Sequence, residues 1–354
     1  MKITNHKHQI TNKFQAQSLN DLKKNWIYKF VILVLFVICN LFFVISPASA
    51  QTAFDPMSVA IDARPLGFGG AFVAVADDGN TLFNNPAGLG EIDKMKFTSM
   101  SGTLLEDVNY TALGAIFPFG DKFSVGAGYA GAFTSGISLR DAHNNVTGTA
   151  NYGNSVLFVA VGKKLTDKLS LGLTLKSFSA DGAGNAADAG HGLNLDLGLL
   201  QSGWNWLKFG LVGQNLLGNS RLNYLNGESE TLPLTVKAGL KGALTGSRFD
   251  SAIFAPLETT LVADADLFPS GPTPAILRGG IEVVPVPYLA LRAGFDQSNL
   301  CGGISLKVAG VGFHYAYHPY GDPSGASANY FSLSYDEQDF PREEEVPDVY
   351  LAGR

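Results

Sequence analysis

The chain has 354 residues, of which 41 are glycine, and only 16% of them are charged. A typical soluble protein contains about 7% glycine and about 25% charged residues. The hydrophobic content of 46% excludes a disordered chain, and the absence of a Gly-x-y period excludes collagen. Only one apolar run approaches the length of a membrane-spanning helix, which excludes a polytopic helical membrane protein.

Residues 1–50 have the pattern of a secretory signal peptide. Residues 1–29 contain six Lys and one Asp, and residues 30–45 are almost entirely apolar. Ala48-Ser49-Ala50 then places small side chains at the positions that signal peptidase reads. An uncleaved anchor helix is the alternative, but this apolar run is short for a membrane span. We therefore expect cleavage near Ala50, before Gln51, and export of the remaining chain.

The exported chain is acidic and has a single cysteine. Without residues 1–50 it has 19 basic and 30 acidic side chains, a net charge of about −11. Nucleic acids bind positively charged surfaces, so we expect no nucleic-acid partner. Cys301 is the one cysteine left, which excludes an internal disulfide and a metal cluster of several thiolates.

From Lys96 onward, apolar residues alternate with polar residues or glycine in segments of about ten residues. In the clearest segment, 169–176, four Leu alternate with Ser, Gly, Thr and Lys. Successive side chains of a strand point to opposite faces, so each segment has one apolar face and one polar or glycine-rich face. The pattern predicts fourteen strands, at residues 96–104, 109–119, 123–133, 152–164, 169–180, 190–201, 206–216, 232–244, 258–268, 275–285, 288–298, 301–308, 311–320 and 328–335.

An even number of strands with short and long connections is typical of transmembrane β-barrels. Short turns such as 309–310 alternate here with longer connections such as 134–151 and 217–231. Isolated charges on the polar faces suit a hydrated lumen, and aromatic residues near strand ends suit a membrane interface. A soluble β-sandwich or lipocalin-like barrel is the alternative. We predict an all-β fold, a transmembrane antiparallel β-barrel of about 14 strands over residues 96–335, followed by a solvated acidic tail, 336–354.

Residues 51–95 precede the strands and are dense in Gly, Pro, Asp and Asn. No strand precedes Gly67-x-Gly69-Gly70, as a nucleotide-binding loop would require. These glycines are better explained by close approach of the backbone to a wall. Asn85-Pro86 predicts a turn after a short apolar element.

The string RPLGFGGAFVAVADDGNTLFNNPAGL, residues 64–89, resembles the N-terminal signature of the PorV/PorQ-like outer-membrane proteins, relatives of the FadL-type long-chain fatty-acid channels. Further similar elements are LKFGLVGQNLLG at 207–218, LPLTVKAGL at 232–240, LRGGIEVVP at 277–285, LALRAGF at 289–295 and NYFSLSY at 329–335.

The resemblance implies a fourteen-stranded barrel with an N-terminal lumenal hatch formed by residues 51–95. An extra strand or a periplasmic arm is the alternative for this stretch. The hatch would be held in place by a plug motif that comprises Arg64, Gly67, Gly69, Gly70, Asp77, Asp78, Asn85, Pro86 and Ala87.

No residue pattern points to catalysis, a metal or a cofactor. His314 and His318 share one strand face, but four residues separate them by roughly 13 Å, too far for one ion. Asp264 and Asp266 lie about 7 Å apart on one face, without a further ligand or an acid–base partner in the sequence. We interpret all of them as polar lining of the lumen and expect neither an enzyme nor a bound cofactor.

Two functions remain open. The first is passive transport of a hydrophobic or amphipathic small molecule across the outer membrane of a diderm bacterium, with Phe68, Phe72 and Phe83 of the hatch as apolar contacts. The second, implied by the PorV side of the resemblance, is to receive or shuttle secreted proteins for a type IX-like secretion system. Transport is preferred because it requires only a plugged barrel in outer-membrane lipid. The sequence carries no indication of an oligomeric state.

These predictions are tested by fractionation. The mature protein is expected to begin at Gln51 by N-terminal sequencing, and to be found in the outer-membrane fraction. Its electrophoretic migration should change on heating, because a closed barrel resists unfolding by detergent until it is heated. Recovery as a soluble periplasmic protein would contradict the barrel.

Overall fold

The computed structural model describes Pro56 and residues 61–337, apart from 76, 105–107, 121, 183–187, 205, 218–219, 245–257, 270–273, 298 and 320–326. The predicted signal peptide and nearly all of the predicted acidic tail lie outside the described residues. Within the described part of the chain, we find no helix of the length and apolarity that a membrane crossing requires.

Three short helices precede a long series of strands. The helices are α1 Ala63–Gly67, α2 Thr81–Asn84 and a 3₁₀ helix, Pro86–Glu91. The strands are β1 Lys96–Leu104, β2 Val108–Pro118, β3 Phe123–Arg140, β4 Val146–Thr166, β5 Leu169–Ala180, β6 Gly190–Trp204, β7 Leu207–Gln214, β8 Arg221–Tyr224, β9 Ser229–Thr231, β10 Thr235–Ala243, β11 Glu258–Leu267, β12 Ile276–Val286, β13 Leu289–Asp296, β14 Asn299–Val308, β15 Val311–Pro319 and β16 Ser327–Asp336.

Among the described residues, fourteen of these strands form one closed antiparallel barrel. β1 pairs with β2 on one side and with β16 on the other, and β5 pairs with β6, which closes the ring. The short strands β8 and β9 form a hairpin that joins the sheet beside β6. Closure gives the ring strands hydrogen-bonded neighbours on both sides, which the interior of a bilayer requires. The predicted fourteen-stranded barrel is confirmed.

Burial confirms that the apolar face and the polar face of a strand lie on opposite sides of the barrel wall, as β5 shows. In β5, Leu171 and Leu175 are 41% and 51% exposed, whereas Ser170, Thr174 and Lys176 are at most 1% exposed. The apolar side chains therefore point outward, towards lipid, and the polar ones point inward. We call the face that carries the buried side chains the inner face.

Charged side chains of the inner face form ion pairs. Lys176 Nζ lies 2.8 Å from Asp196 Oδ1, between neighbouring strands β5 and β6. Asp266 contacts Arg278 on β12 and Lys237 on β10. Pairing is required here because burying a single charge without a partner costs several kcal/mol.

Two connections differ from the sequence prediction. The predicted connection 134–151 is wrong, because β3 runs on to Arg140 and β4 begins at Val146, which leaves a turn at 141–145. Most side chains of this extension are exposed on both faces, so no apolar alternation marks it in the sequence. The connection 217–231 contains the hairpin of β8 and β9, whose strands are too short to give a clear pattern.

The two ends of the barrel differ. Short turns at 119–122, 167–168 and 309–310 lie at the end where β1 begins and β16 ends, and only 244–257 is long there. Aromatic side chains, of which Phe97 and Phe117 are exposed, gather at this end: the Phe97 ring centroid lies 5.9 Å from that of Phe117 and 6.4 Å from that of Tyr335. Such a cluster suits a membrane interface.

The orientation of β5 predicts a strong asymmetry between two similar substitutions. Leu173→Arg puts a charge on the outer face near the middle of the strand, and is expected to destabilise the barrel by about 2–4 kcal/mol. The matched control Leu225→Arg, in the exposed turn between β8 and β9, should change stability by about 0.5 kcal/mol or less. Reversible denaturant unfolding in lipid vesicles measures both, and equal effects would contradict the assignment of the outer face.

Candidate functional site

The candidate site is built from residues 61–95, which we call the N-terminal segment, and from the inner face of the strands. Two of its three short helices begin at side-chain caps: Asp62 accepts a hydrogen bond from the backbone N–H of Arg64 at 3.1 Å. Asn85 likewise accepts one from the N–H of Ala87 at 3.1 Å, with Pro86 as first residue of the 3₁₀ helix. Asn85 Nδ2 also donates to the carbonyl of Leu199 on β6 at 3.1 Å. The Asn-Pro pair thus starts a short helix and ties it to the wall.

Glycines on the strands make room for the N-terminal segment. A Cβ on Gly294 would collide with the backbone of Phe68, and one on Gly172 with the backbone of Pro86. Wall glycines at which a Cβ would meet the segment occur on β2 to β7, β10 and β12 to β14: Gly114, Gly126, Gly162, Gly172, Gly198, Gly210, Gly239, Gly280, Gly294 and Gly303. Because these strands lie around the closed ring, the segment contacts the inner face on several sides.

The glycines of the segment approach the wall in the same way. Gly69 has a φ of +70° and its Cβ position is blocked by the Phe295 carbonyl, so any side chain there would be both strained and obstructed. A Cβ on Gly67 would lie 3.2 Å from Cα of Gly303. Gly70 also has a positive φ, of 86°.

Arg64 is the centre of a buried charge cluster. Its Nη1 lies 2.5 Å from Asp77 Oδ1 and 2.6 Å from Asp78 Oδ2, which brings three predicted plug residues together. Its Nη2 lies 3.2 Å from Oε1 of Glu282 on β12. The Arg64 side chain is only 8% exposed, so its charge depends on these carboxylates for compensation.

The wall supplies two further cations. Arg292 Nε on β13 lies 2.6 Å from Glu282 Oε2, and Lys241 Nζ on β10 lies 2.6 Å from Asp77 Oδ2. Within the described cluster, Arg64, Arg292 and Lys241 therefore face Asp77, Asp78 and Glu282. These contacts link the N-terminal segment by charge to two strands of the wall, β10 and β12, and Glu282 extends the cluster to Arg292 on β13.

Burial and neighbouring charges act in opposite directions on the pKa values of the segment. Burial alone would lower the pKa of Arg64, but the carboxylates of Asp77, Glu282 and Asp78 hold it well above its usual value. Partial burial favours a raised pKa for Asp77, but Arg64 and Lys241 hold that pKa well below 3.8. Arg64 and Asp77 are therefore both charged near neutral pH.

Two single carboxylates make further links between segment and wall. Asp62 accepts hydrogen bonds from the hydroxyls of Thr98 on β1 at 2.5 Å and of Ser332 on β16 at 2.7 Å. Its burial nevertheless raises its pKa. On β11, Asp264 Oδ2 accepts hydrogen bonds from the backbone N–H groups of Phe72 at 2.6 Å and Val73 at 2.8 Å.

The three predicted apolar contacts are occupied by protein. Phe68 and Phe72 are fully buried, with ring centroids 6.3 Å apart, and Phe83 packs edge-on against Phe158 of β4 at 5.4 Å. Arg64 lies over the Phe72 ring at 5.4 Å. A small molecule would reach these rings only after the segment had shifted.

Sequence reasoning missed the wall side of the cluster. Glu282, Arg292 and Lys241 lie within the predicted strands 275–285, 288–298 and 232–244, and Asp264 was interpreted as polar lining of the lumen. The signal available was that each lies on the polar face of its strand. Which of these side chains contacts Arg64 or the backbone of Phe72 depends on where the N-terminal segment runs inside the barrel. The alternation of apolar and polar residues along the strands does not predict that course.

The smaller of two cavities borders the charge cluster, and the larger lies elsewhere. One of about 160 Å³ is lined by Arg64, Glu282, Arg292, Ser305 and Lys307 among others, and is large enough for a few water molecules. A wider apolar concavity of about 880 Å³ is lined mainly by outward side chains such as Leu113, Leu157, Leu193 and Leu333 and contains no residue of the N-terminal segment. It is therefore a groove of the lipid-facing surface.

Comparison with known proteins shows similarity at the level of the fold. No family model and no curated protein matches the sequence. Among solved structures, the toluene transporter TbuX of Ralstonia pickettii is 14% identical, with a TM-score of 0.51 over 81% of this chain and 99% of its own. The monoaromatic hydrocarbon channel CymD is also 14% identical, with a TM-score of 0.56 over 81% and 99%. A deletion mutant of the monoaromatic hydrocarbon channel TodX is 11% identical, with a TM-score of 0.53 over 78% and 99%.

Arg64 is predicted to be needed for docking of the N-terminal segment. Arg64→Leu leaves Asp77, Asp78 and Glu282 facing one another, and removal of one partner from a buried ion pair costs about 3–5 kcal/mol. Hydrogen exchange of residues 63–75 should therefore accelerate by a factor of about 100 or more. The control Arg140→Leu, at the exposed end of β3, should leave exchange unchanged. Equal exchange in all three proteins would contradict this role.

The depressed pKa of Asp77 predicts how acid affects the same contacts. Because the folded pKa lies below the usual 3.8, the ionised carboxylate stabilises the folded state fully above that pH. This contribution is lost as the pH falls through the folded pKa. The difference in segment protection between the wild type and Asp77→Asn should be constant from about pH 7 to about pH 5 and shrink below pH 3.8. A difference that vanishes by about pH 5 would contradict the shift.

Proposed function

We propose that this protein is an outer-membrane channel for the passive transport of small hydrophobic or amphipathic molecules, and that its N-terminal segment is the hatch. The observation that carries the proposal is the set of wall glycines around the ring against which the segment packs. A segment with contacts on several sides of a closed barrel obstructs its lumen. Passage of any molecule then requires the segment to move.

The fold comparisons support the choice of substrate class. The similar structures named above are a toluene transporter and monoaromatic hydrocarbon channels, and 99% of each is covered by the match. Their substrates are apolar and small. We propose the same class for this chain, with Phe68, Phe72 and Phe83 as the apolar surface that a shifted hatch would offer.

The buried charges suit a hatch that is held but can be released. The cluster around Arg64 joins the segment to the wall by ion pairs, whose charges can be solvated again when water enters. The adjoining cavity of about 160 Å³ brings water-accessible volume to Arg64 and Arg292. A purely apolar segment could not be released by water in this way, because exposing apolar surface to water costs about 25 cal/mol for each Å².

The alternative, a PorV-like role with secreted proteins, has less support. It rests on the resemblance of residues 64–89, whereas the similar solved structures carry the names of transporters and channels. It also differs in its consequence, because loss of the protein would then reduce surface proteins and leave small-molecule uptake unchanged.

The decisive experiment locks the proposed hatch to the wall. A Cβ on Gly79 would lie 3.5 Å from Cβ of Thr98 on β1, within the range that a disulfide needs. We expect the double variant Gly79→Cys/Thr98→Cys to take up radiolabelled toluene slowly when oxidised, and after reduction at the rate of the single variant Thr98→Cys, which lacks the same hydroxyl. A deletion strain that expresses each variant provides the uptake assay, with a labelled long-chain fatty acid as second substrate.

The single variants Gly79→Cys and Thr98→Cys are the matched controls, because each carries one of the two changes without the bridge. Neither should respond to oxidation. Unchanged uptake in a double variant shown by mass spectrometry to be fully bridged would refute a hatch that moves at this point. Normal uptake together with lost surface proteins in the deletion strain would refute transport and favour the secretion role.

A further inference from the structure

Three metal-ligating side chains meet at one end of the barrel. Asp296 is the last residue of β13, Cys301 lies near the start of β14, and His318 lies near the end of β15. The neighbouring pairs Gly294–Cys301 and Gly302–Tyr317 set the register of these three strands. This register brings all three side chains to the inner face, on adjacent strands.

The distances suit a single ion. One ligand atom from each side chain lies within 4.8 Å of the other two, and His318 Nε2 lies 2.7 Å from Asp296 Oδ2. A tetrahedral zinc ion, with bonds of about 2.0–2.3 Å, holds its ligand atoms about 3.5 Å apart. Shifts of about 1 Å in side chains therefore suffice to form the site.

The environment of the three groups also suits coordination. Cys301 is 6% exposed and His318 is 8% exposed, whereas the Asp296 side chain is 25% exposed. The site is therefore sheltered on the side of the thiol and the imidazole, and open to water at the carboxylate. Three protein ligands with one open position are the arrangement of a zinc site that exchanges a water or solute ligand.

We propose that Asp296, Cys301 and His318 bind a divalent transition-metal ion of the zinc class. On binding, the Cys301 thiol and the His318 imidazolium of the ion pair with Asp296 each release one proton to solvent. The resulting thiolate and the carboxylate balance the two positive charges of the ion, and the neutral imidazole is the third ligand. Oxygen, nitrogen and sulfur donors together favour Zn²⁺ over Ca²⁺ or Mg²⁺, which take oxygen ligands. The bound ion would join β13, β14 and β15 at the end of the barrel where β1 ends and β16 begins.

This proposal goes beyond transport and does not depend on it. It also revises an expectation from the sequence, in which His318 was considered only with His314, on the same strand. The ligands of the proposed site are its neighbours across the sheet. His314 lies between Ser305 and Ser334, with ring nitrogens 2.5 Å and 2.8 Å from the two hydroxyl oxygens, and takes no part in it.

Cobalt is the probe for the test, because a thiolate bound to Co²⁺ gives an intense near-ultraviolet charge-transfer band. The purified full chain in detergent is titrated with Co²⁺ and then with competing Zn²⁺. We expect one Co²⁺ for each chain, the thiolate band, and displacement by Zn²⁺. Cys301→Ser should abolish the band and weaken Zn²⁺ binding by at least about 10-fold, the lower end of what losing an outer-shell partner costs.

Asp296→Asn and His318→Gln should weaken Zn²⁺ binding in the same way while the thiol is retained. His191→Gln, which removes an exposed histidine of β6, is the matched control and should leave both metals unaffected. Heat-modifiable migration verifies that each variant is a closed barrel. A folded wild type without the cobalt band, or equal Zn²⁺ affinity in wild type and Cys301→Ser, would overturn the proposal and leave the trio as a hydrogen-bonded part of the wall.

Discussion

The pairing of β1 with β16 is the interaction on which the rest of the structure depends. It joins the first and last strands of the barrel through pairs such as Phe97–Tyr335, so that the ring formed by the fourteen described strands is closed and offers lipid no free edge. Once the ring is closed, every strand has an outside and an inside. Leucines such as Leu175 then cover the outside, and each polar side chain of the wall must find a partner within an enclosed space.

The N-terminal segment supplies many of those partners. Glu282 and Arg292 pair with each other on the wall, but Arg64 gives Glu282 its second cation, and Asp264 Oδ2 accepts hydrogen bonds from two backbone N–H groups of the segment. The wall therefore depends on the segment as much as the segment depends on the wall. A change in the position of the segment must be accompanied by solvation or new pairing of these carboxylates.

The strands could be predicted closely from the sequence, because alternation reports directly on a wall with lipid on one side. β1 and β5 have the predicted bounds, and others differ by a few residues. The prediction was wrong beyond residue 133, where β3 continues past its last pair with β2 and its side chains are mostly exposed on both faces. The plug motif was predicted from its glycines and from the family resemblance and remains a prediction, and its contacts on the wall were not predicted. Arg64–Glu282 and Cys301–His318 are neighbours from different strands or segments. Alternation along one strand tells on which face a residue lies, but not which residue of another strand or segment lies beside it.

The fit between glycines and backbone has a consequence for sequence variation. At Gly294 and Gly172 the wall has no space for even a methyl group, because the segment backbone occupies it. A larger residue there is compatible with folding only if the chain around Phe68 or Pro86 is displaced at the same time. Homologues that differ at these positions should therefore differ in the N-terminal segment as well, so that the two regions change together as one inherited unit.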